Sequence, residues 1–220
     1  MFRSNSKILE TEVAGLVFPN PIGVPYALKH RRFNFLHPAP KAGFLIITPP
    51  SGNVLSWIKG LKTALPGDAI LAVDITTDIV RTFSLIYDFA DIIIVNPDSD
   101  SGIDAADLAD TVSLLDELVS LRLCYEQYTP VFLRLTHGIT QEELHTLLES
   151  CRLSGLDGVV VSTLPMMARV KELTQGRLPV LCMVQNPEEA LQALQEGASL
   201  LEARPGFHGM KKLLKTLEKQ

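Results

Sequence analysis

Eight short apolar runs recur along this chain, and nearly every one ends in a polar or chemically capable residue. They are Ile22–Val24, Gly43–Ile47, Ala69–Val73, Ile92–Val95, Val131–Leu135, Gly158–Val161, Pro179–Met183 and Leu200–Leu201. Helix-like segments fill most of the gaps. Buried strands alternating with crossover helices predict a parallel sheet. Eight such units in 220 residues predict an α/β fold, a compact (β/α)8 TIM barrel of eight parallel strands. On this reading residues 1–220 form one barrel domain, with 1–19 as an N-terminal hairpin or extension built on Thr11–Phe18. Any site is expected where the carboxyl ends of the strands gather.

Local signals agree with that register. Thr140 followed by Glu143 is a capping-box pattern, and Leu144, Leu147, Leu148 and Leu153 then form an apolar stripe. Gly155 is placed to stop that helix. Asn186, Pro187, Glu188 and Glu189 give an N-cap, a first-turn proline and acids near the positive helix end. Asp104–Leu123 is the longest helix candidate, and a short helix is expected around Trp57. The connections leave no room for a lid or accessory subdomain.

A hydrophobic fraction of 46% is ample for a core. The net charge of −5 argues against a nucleic-acid groove or an anionic membrane surface, both of which need concentrated basic charge. The first residues, MFRSNSKILETEV, lack the apolar core of a signal peptide, and no run approaches the ~18 apolar residues of a membrane span. Cys124, Cys151 and Cys182 show no CxxC spacing, which suits reduced thiols in a cytoplasm. His30, His37, His137, His145 and His208 lack metal-ligand spacing, so no metal site is expected. No GxSxG elbow is present to raise a serine nucleophile.

The strand ends would gather Thr48, Asp74, Asn96, Arg134 with Thr136 and His137, Ser162 with Thr163, Gln185, Glu202 and Arg204 around one opening. Asp74, Arg134, Glu202 and Arg204 could satisfy one another as an ion-pair network. Alternatively the two arginines suit a small anion, such as a phosphate, near the start of the last helix.

Several strings in order resemble the dihydroorotate dehydrogenases, FMN-dependent barrels of pyrimidine biosynthesis. Val13-Ala14-Gly15-Leu16, Phe18 and Asn20-Pro21-Ile22-Gly23 are similar to the family's opening "GL.F.NPIG". Gly43-Phe44 with Thr48-Pro49 is similar to its second strand, and Ala90-Asp91-Ile92 to Asn96 to "AD…NVSSPN". Pro130-Val131 to Arg134, Gly158 with Val160-Val161, and Gly197-Ala198-Ser199-Leu200 with Gly206-Phe207 follow in the same order.

The resemblance implies an oxidoreductase that oxidises dihydroorotate to orotate with FMN. It implies Ser99 as the catalytic base, and Asn20, Asn96 and Ser101 as substrate contacts. It implies Asn96, Arg134, Thr163, Arg204 and Gly206 as flavin contacts. The pattern is altered at these positions. Asn96-Pro97-Asp98-Ser99-Asp100-Ser101 replaces NVSSPN, and Arg134 replaces a lysine. Thr163 and Asp74 replace asparagines. Cys182–Gln185 lacks the glycines of the family's "GxGG" phosphate turn, and Arg204-Pro205-Gly206 replaces "YTG". Three readings stay open: a compact flavin enzyme, a non-catalytic barrel acting as a binding or regulatory partner, and a barrel holding another small phosphate or carboxylate at Arg134 and Arg204. An oligomer is compatible with all three.

Overall fold

An antiparallel hairpin, β1 (Thr11–Val13) and β2 (Leu16–Phe18), precedes the barrel. Its two-residue turn, Ala14-Gly15, has positive φ at both positions, the conformation that matches strand twist in tight hairpins. The computed structural model describes residues 9–25, 42–65, 69–97, 108–135 and 139–219. Eight parallel strands follow: β3 (Ile22–Pro25), β4 (Phe44–Ile47), β5 (Leu71–Ile75), β6 (Ile92–Val95), β7 (Val131–Arg134), β8 (Gly158–Val161), β9 (Val180–Val184) and β10 (Leu200–Ala203). β10 pairs back onto β3 and closes the barrel. The helices are α1 (Val54–Ala64), α2 (Ile79–Ile86), α3 (Leu108–Arg122), α4 (Gln141–Ser154), α5 (Leu164–Thr174), α6 (Pro187–Gln195) and α7 (Met210–Leu217).

The expected helix signals are present as contacts. Thr140 Oγ1 accepts from the Glu143 N–H at 3.3 Å, and Glu143 accepts from the Thr140 N–H at 2.8 Å. Gly155 ends α4 with φ of 73°. Asn186 caps α6 by accepting from the Glu189 N–H at 2.9 Å. The apolar stripe of α4 needs one correction. Leu144, Leu147 and Leu148 are buried, but Leu153 is 75% exposed, and Cys151 takes the inner position. Cys151 lies seven residues after Leu144 and so returns to the same helix face. Of the Asp104–Leu123 candidate, α3 covers Leu108–Arg122, and 104–107 lie outside the described residues.

Alternation along each strand separates two cores. Outward residues such as Leu45, Val73, Ile93, Leu133, Val159 and Leu201 pack against the helices. Inward residues, among them Ile46, Ala72, Ile94, Phe132, Leu181 and Leu200, fill the barrel, and Val13 and Phe18 of the hairpin join them. Two aromatic rings explain two strand glycines. A Cβ on Gly23 would lie 2.3 Å from the Phe44 ring, and one on Gly158 would lie 2.6 Å from the Phe132 ring.

The amino end of the barrel repeats one device on alternate strands. The residue just before β6, β8 and β10 is bonded twice to the first residue of the preceding strand. Asp91 donates its N–H to Leu71 O at 2.9 Å and accepts the Leu71 N–H at 2.7 Å. Asp157 does the same with Val131, at 3.0 and 2.8 Å, and Ser199 with Val180, at 2.8 and 3.3 Å. At β4 the corresponding residue is Gly43, which donates to Ile22 O at 2.8 Å but has no side chain to accept. Asn20 supplies the acceptor instead, taking the Ile22 N–H at 3.1 Å.

Candidate functional site

Polar side chains take over from the apolar interior within one pleat. Two residues beyond Ala72, Phe132, Leu181 and Leu200, the inward positions are Asp74, Arg134, Met183 and Glu202. One pleat further, on the even-numbered strands, come Asn96, Ser162 and Arg204. The period of two therefore converts four strand sequences into one polar layer facing the carboxyl end.

Arg134 is the centre of that layer. Its Nη2 donates to Asp74 Oδ2 at 2.8 Å and to Glu202 Oε2 at 3.0 Å, and its Nη1 lies 3.1 Å from Met183 Sδ. The three charged side chains are each at most 13% exposed. Burial raises the Asp74 pKa, and the Arg134 charge pulls it only part of the way back. Burial also raises Glu202, against the attraction of Arg134 and then of Arg204. Burial works against the charge on Arg134, but Asp74 and Glu202 together outweigh it and hold the guanidinium protonated. One positive charge shared by two buried carboxylates explains why both acids are raised while the base is secure.

Arg204 is held differently. Its Nη2 donates to the Ser162 carbonyl at 2.7 Å, and its Nε is buried without a hydrogen-bond partner. No carboxylate bridges to it among the described residues, although its charge acts on Glu202. The turn beyond it is closed by the Phe207 N–H on Arg204 O at 2.9 Å, with Gly206 at φ of 88°. Nothing lies within 4 Å of where a Gly206 Cβ would be.

The other expected site residues divide. Asn96 follows β6 on the mouth side and is half-buried. Thr163 caps α5, its hydroxyl accepting the Met166 N–H at 3.4 Å, and is exposed at the same end. Asn20 does not belong with them. It precedes β3 at the amino end, where its side-chain oxygen accepts the Ile22 N–H at 3.1 Å. Ser99, Ser101, Thr136 and His137 lie outside the described residues. Two participants were missed in the sequence: Met183, which the two-residue step from Leu181 marks as inward, and the Ser162 carbonyl, which has no side-chain signature.

The residues present fit a flavin poorly. Arg134, which stands where the resemblance places a flavin-contacting lysine, is ion-paired with two carboxylates. Cys182–Gln185 offers no glycine for close backbone approach, and Pro205 has no N–H to give. Arg134 and Arg204 each keep a buried Nε without a hydrogen-bond partner, but of the two only Arg134 is ion-paired with carboxylates among the described residues. A thiol nucleophile is absent from this wall, because Cys182 faces the helices and burial pushes it up to about 12. Among the described residues no group of three or more histidines, cysteines or acids is placed to hold a metal ion.

Fold and mouth together define a closed parallel α/β barrel with a charged layer beneath its carboxyl face. The barrel is similar in fold to solved dihydroorotate dehydrogenases. The Eimeria tenella DHODH in complex with ferulenol superposes with a TM-score of 0.76 at 15% identity, over 100% of this chain and 87% of the other. The ligand-free form from Eimeria tenella gives 0.74 at 14% identity, over 94% and 84%. At such identity the likeness is one of fold. No family model matches the sequence, and no curated protein sequence does. Among the described residues no helix is long and apolar enough to cross a membrane.

Proposed function

We propose that this chain is a dihydroorotate dehydrogenase-type barrel that binds a small oxyanion, a phosphate or carboxylate, at Arg204 in place of running the flavin reaction. The observation behind this reading is the contrast between the two mouth arginines. Both leave a buried Nε without a partner, but Arg134 spends its charge on Asp74 and Glu202, whereas Arg204 donates to a backbone carbonyl and is bridged by no carboxylate among the described residues. A guanidinium presents several donors in a fixed fork that matches a phosphate or carboxylate. Titration with inorganic phosphate should show saturable binding, and Arg204→Gln should weaken it at least tenfold, about 1.4 kcal/mol. Equal phosphate affinity in wild type and variant would remove Arg204 from the site.

The fold likeness favours a second reading, the family reaction itself. Under it the protein would be a pyrimidine-pathway oxidoreductase with FMN, Ser99 the base, and Asn96 and Ser101 the substrate contacts. The freshly purified protein discriminates. A yellow preparation absorbing near 450 nm, bleached by dihydroorotate, would establish the second reading. A colourless protein that ignores added FMN favours the first.

A further inference from the structure

Asp74 has one carboxylate oxygen engaged and one idle. Oδ2 accepts from Arg134, while Oδ1 is buried without a hydrogen-bond partner, in a residue only 8% exposed. A charged oxygen in that position has lost water and gained nothing, whereas a proton placed on it breaks no existing bond. The charges of the mouth also matter. Asp74 and Glu202 are two negatives, and Arg134 and Arg204 are two positives. An oxyanion at Arg204 adds at least one negative charge to this poorly hydrated layer. It also offsets the guanidinium that helps hold Glu202 ionised.

We infer that Asp74 takes up a proton on Oδ1 when an oxyanion binds at Arg204, so that the mouth takes its anion and a proton together. This rests on the oxyanion reading above. The charged groups facing Asp74, among the described residues, are Arg134 from β7 and Glu202 from β10, with uncharged Met183 from β9 on Arg134. Glu202 is the rival acceptor, but of the two acids only Asp74 has a buried oxygen without a hydrogen-bond partner. Burial has already moved both acids toward their protonated forms, so the uptake occurs above the ordinary carboxylate range.

Sulfate is the probe, because it does not itself take up protons near neutral pH. Calorimetric titration of the full chain in two buffers of different ionisation enthalpy reads the protons exchanged. Wild type should take up close to one proton per sulfate, and its affinity should weaken by up to about tenfold per pH unit as pH rises. In Asp74→Asn the uptake and the pH dependence should vanish, and in Glu202→Gln the uptake should persist. Sulfate binding to wild type without proton exchange overturns the inference and leaves the oxyanion reading standing. Uptake that survives in Asp74→Asn but is lost in Glu202→Gln overturns it too, by moving the proton to Glu202. If sulfate does not bind wild type at all, both readings fall.

Discussion

Asp157 and Val131 are joined by two hydrogen bonds at the amino end of the barrel, one from each backbone N–H, at 3.0 and 2.8 Å. Asp157 is then held from outside: Arg122 Nη1 donates to the same carboxylate at 3.0 Å, and the Tyr128 hydroxyl donates to its other oxygen. Arg122 continues to Gly155 O at 2.8 Å, so the end of α3 is tied to the starts of β7 and β8. The equivalent Ser199–Val180 pair rests on its own two bonds.

That difference sets a hierarchy. Asp157→Ala should cost about 3 kcal/mol, since it leaves a largely buried guanidinium and a strand N–H unpaired. Ser199→Ala should cost about 1 kcal/mol, the worth of one neutral hydrogen bond. Urea denaturation midpoints measure both, and equal losses would contradict the account.

Arg134→Met should be among the more damaging single changes, at roughly 3–5 kcal/mol, because it strands two buried carboxylates. Adding Asp74→Leu and Glu202→Leu to it should restore much of the loss, since an apolar layer needs no pairing. A triple variant no more stable than Arg134→Met alone would show that the layer is held by something other than its charges.

The same acids fix a pH trend. Asp74 and Glu202 have pKa values raised in the fold by burial. A raised carboxylate contributes stability that is present below its unfolded pKa and is lost as pH rises through the folded pKa. Wild type should therefore gain stability relative to the Asp74→Asn, Glu202→Gln double variant as pH falls from 8 toward 5. Parallel melting curves for the two proteins across that range would refute the assignment.

Gly43→Ala should destabilise the barrel by about 1–3 kcal/mol or more. Its Cβ would meet the Asn20 carbonyl, a backbone atom that cannot swing aside. Asn20→Ala should not rescue it, because the obstacle is main chain. Rescue in the double variant, read by thermal melting, would point to the side chain.

Thiol titration should separate the cysteines. Cys124 is exposed, whereas Cys151 and Cys182 are buried and each pushed up to about 12. One equivalent of a disulfide reagent should react with the native chain at pH 8, and all three thiols after denaturation. A second fast-reacting thiol in the native protein would mean that one of the inner walls opens.

The strands were legible because each is an unbroken apolar run, and Ile92–Val95 and Gly158–Val161 begin and end as read. Others move by one or two residues, since a parallel strand ends where its neighbour stops bonding to it. The network of Asp74, Arg134 and Glu202 was also legible, because charged residues at the ends of buried strands have only one another for partners. Arg204 reaching the Ser162 carbonyl was not, as a backbone acceptor leaves no trace in residue type. The contact of Asn20 was not legible for a related reason: the sequence places it beside β3 without saying that Gly43 leaves a strand N–H for it to satisfy.

The hairpin residues Val13 and Phe18 seal one end of the barrel, and the Arg134 layer lies only one pleat above the apolar fill. For a visiting molecule that layer is therefore a floor. It cannot descend along the filled axis. Selectivity among visitors must then reside in the segments that follow the strands, and substitutions inside the barrel should alter robustness without altering which molecule is chosen.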